Sequence, residues 1–171
     1  MRFIKFILIG AIVLFGVLTA LSFLFPSHVQ ISRTTQVRAS RQKVYEALAD
    51  LGTWDKWNAF ARSSALSGRH VSNPSNGKGA VLSYDQLRIS EVRADSALLL
   101  FDWDFTHGKK FAGGYNLIDL GPDSLTIQTW FDFHLRWYPW EKLGIFVYDR
   151  KLGPLLEESL ADLKRYLENS P

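Results

Sequence analysis

Asp132 and His134 stand two residues apart in SLTIQTWFDFH, and Asp102 and Asp104 do the same in LLLFDWDF. In an extended strand that spacing puts both members of a pair on one face, where a carboxylate and an imidazole suit general acid–base chemistry. The opposite face of each run is apolar, with Leu99, Phe101, Trp103 and Phe105 in one and Leu125, Ile127, Phe131 and Phe133 in the other. The acidic pairs therefore read as a solvent-facing surface, and catalysis would have to draw on polar residues that share the apolar phase. Tyr84 and Tyr115 do so, alternating with Leu82 and Leu117. A phenol enclosed by apolar side chains normally holds a hydrogen bond, so both also suit a purely structural place. The sequence assigns no catalytic residue.

Other chemistries find less support. His28, His70, His107 and His134 are widely separated, without the short paired spacing of a metal motif, and there is no cysteine. The expectation is no metal and no cofactor. Glycine signatures of dinucleotide, triphosphate or serine-hydrolase sites are missing, and Gly113-Gly114 reads as a bulge or close-packing point within a strand. The balance of 20 basic and 17 acidic side chains, with Arg2 and Lys5 at the extreme N-terminus, argues against nucleic acid as a partner.

The elements that carry these residues begin with Phe6 to Phe25, twenty residues without a charge. As a helix the run spans about 30 Å, the thickness of a bilayer's hydrocarbon core. A cleaved signal peptide would have a shorter apolar region and a small-residue cleavage site, whereas this run ends in SFLFP, so it reads as an uncleaved anchor. The expected division is an anchor over 1–26 and one folded domain over 27–171. Arg2 and Lys5 place the N-terminus in the cytoplasm and the domain on the extracytoplasmic, periplasmic side.

Within the domain, His28 to Arg38 alternates as a strand, Ser40 caps an amphipathic helix over Arg41 to Leu51 that stops at Gly52, and Trp54 and Trp57 share a face of the next helical turn. Those tryptophans read first as a hydrophobic plug and second as a pocket wall. SNPSNGKG, Ser72 to Gly79, is a loop. Five runs then alternate as an antiparallel meander: Ala80 to Asp85, Leu87 to Val92, Leu98 to Thr106, Phe111 to Leu120 and Leu125 to Leu135. The corners are Arg93-Ala94-Asp95, His107-Gly108-Lys109 and Gly121-Pro122-Asp123. Trp137-Tyr138-Pro139-Trp140 forms a rigid aromatic approach to a final helix striped by Leu156, Leu160, Leu163 and Leu167, which Pro154 should kink or restart.

The opening HVQISRTTQVRASRQKVYEALADLGTWDKWNAF, with Val44, Tyr45, Leu48, Asp50, Trp54, Trp57 and Asn58 in place, resembles the polyketide cyclase/dehydrase and START-like superfamily. The ending GPLLEESLADLKRYLEN is similar to that family's terminal helix at Ser159, Leu160, Leu163 and Lys164. The resemblance covers about a third of the domain and implies an α+β helix-grip fold, a curved antiparallel sheet around the C-terminal helix with a hydrophobic cavity between them. Lining candidates for that cavity are Trp57, Tyr84, Phe101, Trp103, Tyr115, Phe131 and Phe133. The partner implied is a lipid or other hydrophobic small molecule, held near the bilayer through the anchor. The alternative is a cyclase, dehydratase or hydrolase using the same cavity.

Full-length protein is expected to fractionate with membranes and to resist extraction by high salt or alkali, and an export-dependent reporter fused after Pro171 is expected to be active. Mature protein that starts near residue 25 and floats free of membranes would overturn the anchor.

Overall fold

Alternation of apolar and polar residues leaves the middle of the chain one economical solution, a sheet with one greasy face laid over helices. The computed structural model describes residues 2–24, 26–106, 108, 110–121 and 124–169. Phe25 at the end of the apolar span, and the corner residues His107, Lys109, Pro122 and Asp123, lie outside them.

Helix α1, Arg2–Ser22, precedes strand β1, His28–Val37, helix α2, Arg41–Ala49, a 3-10 turn at Leu51–Thr53 and helix α3, Trp54–Trp57. Strands β2 (His70–Val71), β3 (Val81–Ser83), β4 (Leu87–Ala94), β5 (Leu98–Phe105), β6 (Lys110–Gly121) and β7 (Ser124–His134) follow. Helices α4 (Pro139–Leu143) and α5 (Ile145–Asn169) complete the fold. The seven strands form one antiparallel sheet in the order β1-β7-β6-β5-β4-β3-β2. The first strand of the domain thus pairs with the last, and α5 packs across β1 on the concave side. This is the helix-grip architecture, α+β, with the sheet curved around the long C-terminal helix.

Local chemistry sets the element ends. Ser40 Oγ accepts from the Lys43 amide at 3.4 Å to start α2. That helix stops two residues short of the expected Leu51, because the Asp50 carboxylate accepts from Gly52 N at 2.9 Å and from Ser75 Oγ at 2.7 Å, turning the chain into the 3-10 turn. The two-residue strand β2 carries too short a pattern to read from sequence. Helix α5 runs continuously through Pro154, so of the kink or restart expected there the restart does not occur. There the packing of an extended leucine stripe outweighs one missing backbone hydrogen bond.

Each row across the sheet places one side chain per strand on the concave face. One row runs Ile31, Phe131, Gly113, Phe101 and Glu91; next to it lie Val29 opposite Phe133, and Phe111, Trp103, Ile89 and Leu82 in register, with the Phe133 and Phe111 rings 4.7 Å apart. A Cβ on Gly113 would lie 2.5 Å from the Phe131 ring, and one on Gly114 would lie 2.5 Å from the Leu99 carbonyl oxygen. Both glycines are therefore close-packing points. Opposite the sheet, Leu156, Leu160, Leu163 and Leu167 of α5 are all buried, together with Val44, Leu48 and Leu51 from the α2 region.

Helix α1 stands outside this core. Phe3–Ser22 is long and apolar enough to cross a membrane, and its side chains from Phe3 to Leu18 are exposed.

Leu160→Ala or Leu163→Ala is expected to cost about 2–5 kcal/mol, because the cavity left behind cannot collapse fully. Glu157→Ala, on the solvent side of the same helix, should cost under about 1 kcal/mol even though Arg33 pairs with it at 2.7 Å. Chemical denaturation measures both, and equal small losses would mean that α5 does not grip the sheet.

Candidate functional site

The concave face of the sheet is where the cavity-lining candidates meet. Trp57 and Phe101 are completely buried, and Trp103, Tyr115, Phe131 and Phe133 are nearly so. They form a continuous set of ring contacts with Trp54 and with Phe60, which the sequence had not put forward. Trp54 lies 4.9 Å from Phe101 and 6.1 Å from Trp103, centroid to centroid, and Phe60 lies 5.4 Å from Trp103 and 5.5 Å from Phe131. Trp57 and Tyr115 meet edge to face at 6.1 Å, and Phe133 stacks on Tyr148 of α5 at 5.4 Å. Tyr84 sits apart from these rings, donating from its hydroxyl to the Ala61 carbonyl at 3.0 Å. The plug reading and the wall reading of Trp54 and Trp57 thus describe one place, because the plug packs directly on the aromatic face.

Asn58 fixes this plug. Its Oδ1 accepts from the amides of Phe60 and Ala61 at 3.0 and 3.2 Å, and its Nδ2 reaches the Tyr115 hydroxyl at 3.5 Å. The Ala59 amide donates to Ser159 Oγ of α5 at 3.0 Å. The turn after α3 is thereby tied to both the sheet and the C-terminal helix. Burial pushes the Tyr84 and Tyr115 phenols up from their ordinary value, so both remain protonated donors and neither is a base at neutral pH.

The residue that the sequence reading passed over is Glu91. In LRISEVRA the phase of Leu87 and Ile89 carries Glu91 inward, where it is 2% exposed opposite Phe101. A bulge between Glu91 and Arg93 follows it. No well-aligned hydrogen-bond donor reaches either carboxylate oxygen, and the indole nitrogens of Trp57 and Trp103 have no acceptor. Burial pushes the Glu91 carboxyl above its ordinary range, with a weaker opposing pull from the Gly77 backbone amide. A carboxyl in the apolar phase of a strand was the available signal.

Asp102, Asp104, Asp132 and His134 take the convex face, as their phase requires, and Asp104 pairs with Lys110 at 2.5 Å. Separation in sequence, the ground for expecting no metal ligands among the histidines, does not hold in space, because β1–β7 pairing sets His28 directly opposite His134.

The seam between β1 and α5 opens as two surface grooves of about 580 and 550 Å³, whose walls include the core residues Ile31 and Leu160. Arg33 stands between the grooves, reaching Glu157 at 2.7 Å and Asp149 at 3.1 Å.

A carboxyl raised above its ordinary 4.5 binds its proton more tightly in the folded chain than in the unfolded one. Stability is then greatest below that ordinary value and falls as pH rises toward the folded pKa. Glu91→Gln should remove this loss, so thermal melts from about pH 4 to about pH 8 should show the variant gaining on the parent as pH rises. Parallel curves would mean that Glu91 is solvated.

Comparison with solved structures returns the same architecture. A START superfamily protein from Mycobacterium smegmatis aligns with TM-score 0.61 at 19% identity, over 81% of this chain and 97% of that one. Norcoclaurine synthase from Thalictrum flavum, in complex with dopamine and hydroxybenzaldehyde, aligns with TM-score 0.61 at 15% identity, over 84% and 89%. CalU16 from Micromonospora echinospora aligns with TM-score 0.57 at 12% identity, over 83% and 76%. No functionally curated protein matches the sequence. At these identities the likeness concerns the fold. The sequence itself goes further: residues 28–168 match the family described as polyketide cyclase/dehydrase and lipid transport, and the chain belongs to that family.

Proposed function

We propose that residues 27–171 bind a lipid or other hydrophobic small molecule between the concave sheet and α5, and that residues 1–26 tether this domain to a membrane. The observation that carries the reading is the set of unpartnered polar groups on an otherwise apolar face: the Glu91 carboxyl and the indole N–H groups of Trp57 and Trp103. A core selected for stability alone pairs such groups or omits them, because each costs about 1–3 kcal/mol when left unmade. A mostly apolar ligand with a hydrogen-bond acceptor satisfies them. The indoles donate, and the Glu91 carboxyl, whose proton burial holds more tightly than usual, donates in its protonated form. Trp57, Tyr84, Phe101, Trp103, Tyr115, Phe131 and Phe133 supply the walls.

Aromatic rings pack against one another across the interior, so binding requires their displacement. The seam between β1 and α5 supplies a route, since its grooves reach Ile31 and Leu160 and the Arg33 pairs that bridge it are exposed. Family membership supports the ligand class, its description including lipid transport. The norcoclaurine synthase relative, bound to two small aromatic molecules, supports a small-molecule occupant for this fold.

The tether rests on α1 and its surroundings. Ser22 Oγ donates to the Trp137 carbonyl at 3.0 Å, and the Phe15 and Trp140 rings lie 6.5 Å apart. Trp137 and Trp140 are 49% and 60% exposed beside the apolar helix, as suits tryptophans at a membrane interface. With Arg2 and Lys5 held in the cytoplasm, the domain lies on the periplasmic side.

Glu91 also favours a second reading. A buried carboxyl with a raised pKa on a ligand-facing wall is suited to proton transfer, as a cyclase or dehydratase requires.

Native mass spectrometry of gently extracted full-length protein should show a small hydrophobic molecule bound. Trp103→Phe, which keeps a ring and removes the indole N–H, should weaken a hydrophobic fluorescent probe about two- to tenfold, and convex-face Asp102→Asn should leave it unchanged. Absence of both native ligand and probe binding would refute the binding reading. Turnover abolished by Glu91→Gln with probe binding intact would establish the enzyme.

A further inference from the structure

The pairing of the first and last strands of the domain gathers residues that are more than a hundred positions apart in sequence. His28 faces His134 across the β1–β7 ladder, and the Leu135 amide donates to the Ser27 carbonyl at 2.7 Å just beyond them. That hydrogen bond makes His28 and His134 a non-hydrogen-bonded pair, the position in an antiparallel ladder where facing side chains approach most closely. Their ring centroids lie 4.8 Å apart. Asp132 shares the face of His134 one pleat earlier and is the diagonal neighbour of His28.

We propose that His28, Asp132 and His134 form a binding site for a divalent transition-metal ion of the zinc class on the convex face of the sheet. One ligand atom from each residue lies within 4.8 Å of the others. Closing that spacing onto an ion at about 2.0–2.2 Å requires side-chain adjustment, which the exposed His28 and His134 rings are free to make. Asp132 is the fixed member, its side chain 19% exposed. Its Oδ1 is buried, has no hydrogen-bond donor aligned on it, and lies in direct contact with His28 Nε2. A carboxylate oxygen held against an imidazole nitrogen shares a proton or a metal ion with it, and the second imidazole facing the same point completes a donor set for the metal. Two imidazoles and a carboxylate match zinc and its first-row neighbours better than calcium or magnesium, which take oxygen ligands.

The neighbouring charges are compatible with a cation. Lys110, Arg136 and Glu141 share a surface groove with His134, and of these Lys110 is paired with Asp104 while Glu141 accepts from the Arg136 amide at 2.8 Å. Three protein ligands leave a tetrahedral ion one open position, accessible from solvent. The site lies beside the membrane-proximal end of the domain, since β1 starts six residues after α1 ends. An ion there would staple the start of β1 to the end of β7. This inference is independent of the interior ligand.

The test uses full-length protein in detergent, stripped with chelator and titrated with Zn²⁺. One equivalent should bind, and X-ray absorption at the zinc edge should show imidazole nitrogens at about 2.0–2.1 Å. His28→Ala, His134→Ala and Asp132→Asn should each weaken binding at least about tenfold, since even the partners of metal ligands matter by 10–100-fold. His70→Ala, on exposed β2, should bind as the parent does. Circular dichroism of each metal-free variant separates loss of ligand from loss of fold. The proposal fails if no zinc binds, if the edge spectrum shows only water oxygens, or if folded His28→Ala and His134→Ala bind as the parent does.

Discussion

The completely buried Trp54 ring is the contact on which the interior depends. Its Nε1 donates to the Leu48 carbonyl at 2.9 Å, which secures the C-terminal end of α2, while its faces and edges meet Trp57, Phe101, Trp103 and Tyr115. A wedge of that size lets the sheet approach α2 and α3 only by curving around it. Gly113 answers on the sheet side, since any side chain there would displace Phe131. Large ring and missing side chain together set the curvature of the concave face.

The same constraint explains why Glu91 matters. A curved, aromatic-lined face excludes water, so a carboxyl carried inward by strand phase loses its solvation and meets no well-aligned donor. The tryptophans that exclude water also bring two indole N–H groups into that environment without acceptors. On the proposed binding role, stability and function pull in opposite directions here. Asn58 and Tyr115, by contrast, are satisfied and hold the plug in place.

On the outer side, α5 joins the sheet through leucines below and charges above. The Arg33 guanidinium passes over Gly153, where a Cβ would lie 2.4 Å from Nη2, and reaches acidic residues on either side of that glycine. Gly153, beside the Pro154 where a kink or restart was expected, is therefore a helical crossing point for an arginine. Helix α1 and the Trp137–Trp140 aromatics lie beyond this seam, so the helix edge and the proposed membrane interface are adjacent parts of one structure.

Local chemistry was legible from residues alone wherever a period or a cap decided it. The Ser40 cap, the strand alternation from Leu98 to Leu135, the leucine stripe of α5 and the apolar run from Phe6 all rest on interactions within a few residues. The inward turn of Phe101, Trp103, Phe131 and Phe133 follows from the same alternation. Tertiary structure decided what depends on partners distant in sequence. Strand order set His28 against His134; the fit of Trp54 into the curve left Glu91 and two indoles without partners; Arg33 and the core packing carried α5 through Pro154. Sequence periodicity says which face a side chain occupies, whereas its neighbours on that face are chosen by register and packing across the whole chain.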